Sequence, residues 1–339
     1  MGTNHKEQPV GQLQPASLFK RALKAKEIGI LACLCLLFLF FSFASPVFFT
    51  STNILNIVRQ VSLLGIQALG MTLVIAIGGI DISVGAVYAV CATVSALLMT
   101  QEGVPVWIAC ALGLLLGAVF GLVNGFVIGY LKIPPFIATM GTMNIARGLA
   151  LLLSKGMIIS LDRDPVPDPE SLPAFFGMGG GVVGVVPSLS IFFLVLAVIG
   201  YFFFHKSILG FRMRAVGGSP DAAKASGINE KKVNLIAYMI LGFLCGLTGL
   251  LNFSFMHTVQ GTMGSGMELE VIAAAIIGGA IPTGGAGTVI GTVIGVLIMG
   301  ILKNGLVLMG VNAHAQTVVI GILIIVVVAF DLRRNKKRQ

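Results

Sequence analysis

Four amide side chains, Asn53, Asn56, Gln60 and Gln67, follow one another at intervals of three, four and seven residues. At 100° per residue this spacing keeps them within roughly a 60° arc of one helix face. Amides facing lipid are costly, so the stripe should meet either protein or a water-filled cavity. Because an amide donates and accepts hydrogen bonds without carrying charge, a pathway lined this way suits a neutral polyol or sugar. The alternative is hydrogen bonding between helices with no substrate. Asn124, Asn144 and Arg147 are candidates for the same cavity, although Arg147 could instead pair with a backbone carbonyl or snorkel outward. Asp81, preceded by two glycines and followed by Ser83, reads as a helix N-cap or as a gating or coupling group.

The chemistry that is missing narrows the function further. The sequence has no Gly-x-x-x-x-Gly-Lys-[Ser/Thr] segment, no His-Glu-x-x-His, no metal-spaced His/Cys cluster and no Gly-x-Ser-x-Gly elbow. Its four histidines are dispersed singly, and its five cysteines fall within apolar stretches. No residues support an enzyme, and neither a metal nor a cofactor is expected. The spans also lack the several acidic residues that proton-coupled carriers use.

The elements that must position these amides are membrane helices. Of 339 residues, 56% are apolar and 10% charged, against roughly a quarter charged in a soluble domain. Apolar runs at 28–48, 54–77, 82–100, 105–130, 135–154, 187–205, 233–253, 268–281, 287–302 and 315–330 predict about ten spanning helices, an all-α polytopic membrane protein. The run at 268–281, flanked by Glu268, Glu270 and Pro282, is short for a full crossing. With both termini in the cytoplasm, most of the 22 Lys and Arg residues fall on the cytoplasmic side, as the positive-inside rule requires. The net charge of +9 is therefore an orientation signal and no reason to expect nucleic acid.

This topology gives a basic cytoplasmic tail (1–26), a single membrane domain (27–332) and a second basic tail (333–339). Two loops exceed connector length: an outer one at about 155–186, acidic and then glycine-rich, and a basic inner one at about 206–232. Gly113, Gly117, Gly121, Gly125 and Gly129 stand at strict four-residue intervals, as do Gly287, Gly291 and Gly295. Such stripes serve tight helix packing or a sliding surface. The segment from Gly78 to Gly85 also resembles that from Gly278 to Gly285, a weak hint of internal symmetry.

Several longer segments carry a family resemblance: Gly-Gly-Ile-Asp-Ile-Ser-Val-Gly at 78–85, Pro-Pro-Phe-Ile-Ala-Thr-Met-Gly-Thr-Met-Asn-Ile-Ala-Arg-Gly at 134–148, and Ala-Ala-Lys-Ala-Ser-Gly-Ile-Asn at 222–229. With the stretch from Met267 to Gly279 and on to Gly305, the chain resembles, over nearly its whole length, the permease subunits of bacterial ribose-type sugar ABC importers. That resemblance implies a type II-like importer permease in the inner membrane, with a second permease copy, identical or paralogous, beside it. It also implies cytoplasmic ATPase subunits or one tandem ATPase, an extracytoplasmic sugar-binding protein docked outside, and surrounding lipid. Asp221, Ala222, Ala223 and Gly227 match the Glu-Ala-Ala-x-x-x-Gly signature by which such permeases engage their ATPases, with Asp in place of Glu. Both alanines would then permit close docking, and Gly227 the turn that ends the element. Ribose is the first substrate suggested; another small polyol, a furanosyl signalling molecule, or a secondary carrier acting without an ATPase are the alternatives.

Overall fold

The computed structural model describes residues 25–336; the tail before residue 25 and the last three residues lie outside the described residues. A helix occupies each of the ten expected stretches: α1 (Ala25–Ala44), α2 (Ser51–Ala76), α3 (Val84–Thr100), α4 (Val106–Gly129) and α5 (Pro135–Leu153), then α7 (Ser188–Lys206), α10 (Glu230–Met256), α11 (Met267–Ile277), α12 (Val289–Leu308) and α13 (Ala313–Lys336). Six of them, α2, α4, α5, α7, α10 and α12, are long and apolar enough to cross a membrane. Three shorter helices lie in the two long loops: α6 (Leu172–Gly180), α8 (Ile208–Gly218) and α9 (Pro220–Ala225).

The helix starts follow from local sequence. Thr288 and Asn229 are N-caps whose side chains accept from the Gly291 and Lys232 amides at 2.9 and 3.1 Å. Pro135 opens α5, where its missing N–H costs nothing. Burial then sorts the helices into two groups. In α2, 78% of the apolar window is buried, against 28% in α5 and in α7, so α2 is central and the other two turn most of their surface outward.

The four-residue glycine stripe of α4 lies against α10. A Cβ on Gly117 would stand 2.5 Å from the Gly242 carbonyl, and one on Gly125 would stand 2.6 Å from Leu235 Cα. Gly129 faces Lys231 at the start of α10, and Gly113 lies opposite Gly246, so the two helices run antiparallel with backbones in contact. In α12, Gly295 abuts the Gly278 amide of the α11 exit in the same manner.

Irregular stretches interrupt the bundle between α2 and α3, ahead of α11 and, at residues 278–288, between α11 and α12. Between α2 and α3 the chain passes through residues 77–83, where Gly79, Asp81 and Ser83 are buried. Gly79 sits against Tyr238, which is eight residues, or about 12 Å, along α10 from its start. Non-helical backbone at such depth is tolerated only where protein covers it or a cavity receives it. The second stretch, 257–266, precedes α11, whose 11 residues span only about 16 Å.

The long loop at 155–186 folds onto the far end of α10. Strand β1 (Ile159–Ser160) pairs antiparallel with β4 (Thr258–Val259), and β2 (Val182–Val183) forms a hairpin with β3 (Val186–Pro187). Phe176 stacks on His257 at 3.7 Å between centroids, and His257 meets Asp162 at 3.1 Å. Asp164 accepts from the Ser160 amide at 2.8 Å. Asp168 accepts from the Val106 amide at 3.0 Å; that bond, seconded by Ser171, holds its carboxyl below the usual carboxylate range. Asp162, Asp164 and Asp168 thus fasten the loop to the end of α10, to itself and to the α4 N-terminus.

Candidate functional site

Where α2 breaks, a buried polar network ties three helices together. Asp81 Oδ1 accepts from the Ser83 amide at 2.7 Å and from its hydroxyl at 2.6 Å. Its Oδ2 accepts from Asn124 Nδ2 at 3.1 Å, and Thr142 donates to Asn124 Oδ1 at 2.5 Å. Thr139, from the same turn of α5, accepts from the Ile82 amide at 3.3 Å. The N-cap position of α3 is Ser83 rather than Asp81; Asp81 holds the turn that precedes it, and Asn124 and Thr142 bind that turn to α4 and α5. Every polar atom here is spent on protein, so the network fixes geometry.

Elsewhere the bundle opens into a cavity of about 420 Å³. Gln60 of α2, Tyr88 of α3, Asn252 of α10, Ser265 before α11, Glu270 of α11 and Lys303 of α12 contribute its polar lining. Lys303 Nζ and Glu270 Oε1 form an ion pair at 2.7 Å, with side chains 44% and 18% exposed. Each charge has its counter-charge in the wall, so the cavity lining carries no net charge. What remains for a ligand is amide and hydroxyl hydrogen bonding, which matches the surface of a neutral polyol.

The structure separates the four amides of the stripe. Gln60 lines the cavity. Gln67, two turns further along, is fully buried beside Met267, with Nε2 3.8 Å from the sulfur and Oε1 without a protein partner. Asn53 exchanges a reciprocal pair of hydrogen bonds with Asn304 at 3.0 and 2.9 Å and donates to the Phe48 carbonyl at 2.8 Å. Asn56 is exposed and meets only Arg59, at 3.5 Å. Asn124 belongs to the Asp81 network. Asn144 is also exposed and donates to the Met140 carbonyl of its own helix at 2.9 Å. Arg147 reaches the Gly261 and Met263 carbonyls, both at 2.7 Å. It braces the irregular segment ahead of α11, the carbonyl alternative left open above.

Tyr88, Asn252, Glu270 and Lys303 were not among the sequence candidates. They lie on four different helices, and no spacing rule links them. A signal was nonetheless present: an acidic and a basic residue at the ends of two successive apolar runs.

In the basic loop at 206–232, Ser219 caps α9 by accepting from the Ala222 amide at 3.3 Å. Asp221 and Ala222 are exposed, whereas Ala223 is buried against the core. Of the two alanines, Ala222 presents its methyl outward and Ala223 packs inward. Gly227 has φ +77, the left-handed conformation that ends the helix, and the Ile228 amide returns to the Ala223 carbonyl at 2.9 Å. Among the described residues no group of His, Cys, Asp and Glu could hold a metal ion.

A family model described as branched-chain amino acid transport system, permease component, matches residues 53–328. The ribose import permease protein of Bacillus subtilis (strain 168) is 38% identical over 310 residues, 91% of this chain and 94% of that protein. The ribose import permease protein of Escherichia coli (strain K12) is 36% identical over 322 residues, 94% of this chain and 97% of that protein. The fructose import permease protein of Bifidobacterium longum (strain NCC 2705) is 37% identical over 277 residues, 78% of each chain. No solved structure matches.

Proposed function

Because the chain belongs to the family of branched-chain amino acid transport system permease components, we propose that it is the membrane-spanning subunit of an ATP-driven importer that carries a monosaccharide, ribose first, across the inner membrane. The observation that carries this reading is likeness to ribose import permeases over more than nine tenths of the chain. The cavity supports it chemically, since its charges are paired and its remaining polar groups suit hydroxyls. The subunit performs no covalent chemistry. ATP is hydrolysed by separate ATPase subunits, single or tandem, and a binding protein delivers the sugar from outside.

In this reading ten helices cross the membrane with both termini in the cytoplasm, and two permease copies stand side by side. The segment from Asp221 to Gly227 docks in a groove of the ATPase with Ala222 at the contact. The outer loop, 155–186, receives the binding protein. Sugar enters past Gln60, while the Asp81–Ser83–Asn124 network holds the α2–α3 break in place as the surrounding helices move.

The test is uptake of labelled ribose by liposomes. Chain reconstituted with its ATPase and binding protein should accumulate ribose when ATP is supplied, and chain alone should pass none. Concentration-driven uptake by the chain alone would instead establish a carrier that needs no ATPase.

A further inference from the structure

A second, smaller cavity of about 220 Å³ opens where α4 ends, α5 begins and α10 begins, against the break between α2 and α3. Its rim carries the Lys132–Glu230 ion pair at 3.2 Å, so it lies at the end of the bundle opposite the outer loop. Asn234, Tyr238 and the backbone of Gly78 and Gly79 line its inner part. Tyr238 is fully buried, and its hydroxyl has no hydrogen-bond partner. Gly79 makes room for that hydroxyl, since a Cβ there would overlap the oxygen.

An unpaired buried hydroxyl is costly, and native structures pair nearly all such groups. Phenylalanine would fill the same volume without that cost. Tyr238 belongs to the lining of the polar cavity, so a hydroxyl-bearing solute that displaces the break enough to reach that oxygen would give it the partner it lacks. We propose that this inner cavity is a transient binding subsite for a neutral, hydroxyl-rich solute of monosaccharide size, with the Tyr238 hydroxyl and the Asn234 amide as its hydrogen-bonding partners. At about 220 Å³ it falls below the ~300 Å³ at which pockets for drug-sized ligands begin, a size that suits a small solute. The inference rests on the transport reading above and adds to it a second halt for the solute beyond Asp81, next to the cytoplasmic exit.

Two measurements test it. In the detergent-solubilised full chain, ribose should slow labelling of an Ile133→Cys variant by a thiol reagent, corrected for labelling of the parent chain. Adding Tyr238→Phe should remove the protection. In liposomes with ATPase and binding protein, Tyr238→Phe should lower ribose uptake roughly tenfold, while the melting temperature stays level or rises. The proposal is overturned by absent protection, by wild-type uptake in Tyr238→Phe, or by a melting temperature several degrees lower, which would give the hydroxyl a structural role. If the wild-type assembly imports no ribose while the labelling protection is present, the importer reading fails and the subsite stands.

Discussion

Adjacent alanines of α9 differ in burial. Ala223 is 4% exposed and packs into the core, while Ala222, one position earlier on the same short helix, faces out. Arginine at the two positions should therefore fail in different ways. Ala222→Arg should leave the melting temperature of the permease unchanged and abolish co-purification with the ATPase. Ala223→Arg should overpack the core, at a cost of about 1–3 kcal/mol, and lower the melting temperature before any question of docking arises. Equal co-purification of Ala222→Arg and wild type would remove this face from the interface. The amide stripe teaches the same lesson about residues. Its shared helix face was legible from spacing, but the partner of each amide was not, because partners are set by tertiary neighbours. Asn304, 251 positions away from Asn53, fills the valence that sequence alone leaves open.

Helices were legible as elements because most of the ten apolar runs are long and the charges that end them are few. What spacing left undetermined was how the breaks between helices meet. The segments at 78–85 and 278–285 resemble each other in sequence, and in the fold they touch. Gly285 donates to the Ala76 carbonyl at 2.9 Å, and a Cβ on Gly284 would lie 3.0 Å from the Gly78 amide. Gly217, at the end of α8, closes this junction, where a Cβ would strike the Ala76 carbonyl and stand 2.6 Å from the Gly285 amide. Since α9 follows directly, backbone rather than flexible side chain joins the proposed ATPase contact to both breaks. A displacement of α9 should reach Gly78 and the α11–α12 turn with little lost to side-chain rotation. Gly217→Ala should thus leave ATPase binding intact, as the Ala222 surface is untouched, and reduce ribose imported per ATP hydrolysed several-fold. The measurement is that ratio at matched amounts of assembled complex. An unchanged ratio would reduce the junction to packing.

At the scale of the whole molecule the charges sort by end. The 27 residues of α10 span about 40 Å, enough to cross a bilayer and leave both ends wet. Beside its start lie Lys132, Lys224, Lys231 and the α8–α9 pair. Past its other end lie β4, the acidic outer loop and Asp168 on the α4 N-terminus. Basic residues near the membrane ends set orientation and acidic ones contribute little, so the α8–α9 end should face the cytoplasm. In intact cells, Asp164→Cys should react with a membrane-impermeant thiol reagent and Ser219→Cys should not; permeabilisation should make both react. Cys91, Cys110 and Cys245 are buried, and labelling of the parent chain corrects for Cys33 and Cys35. Reaction at Ser219→Cys alone in intact cells would invert the molecule. It would place α9 where no ATPase could reach it, and the importer reading would fall together with the topology.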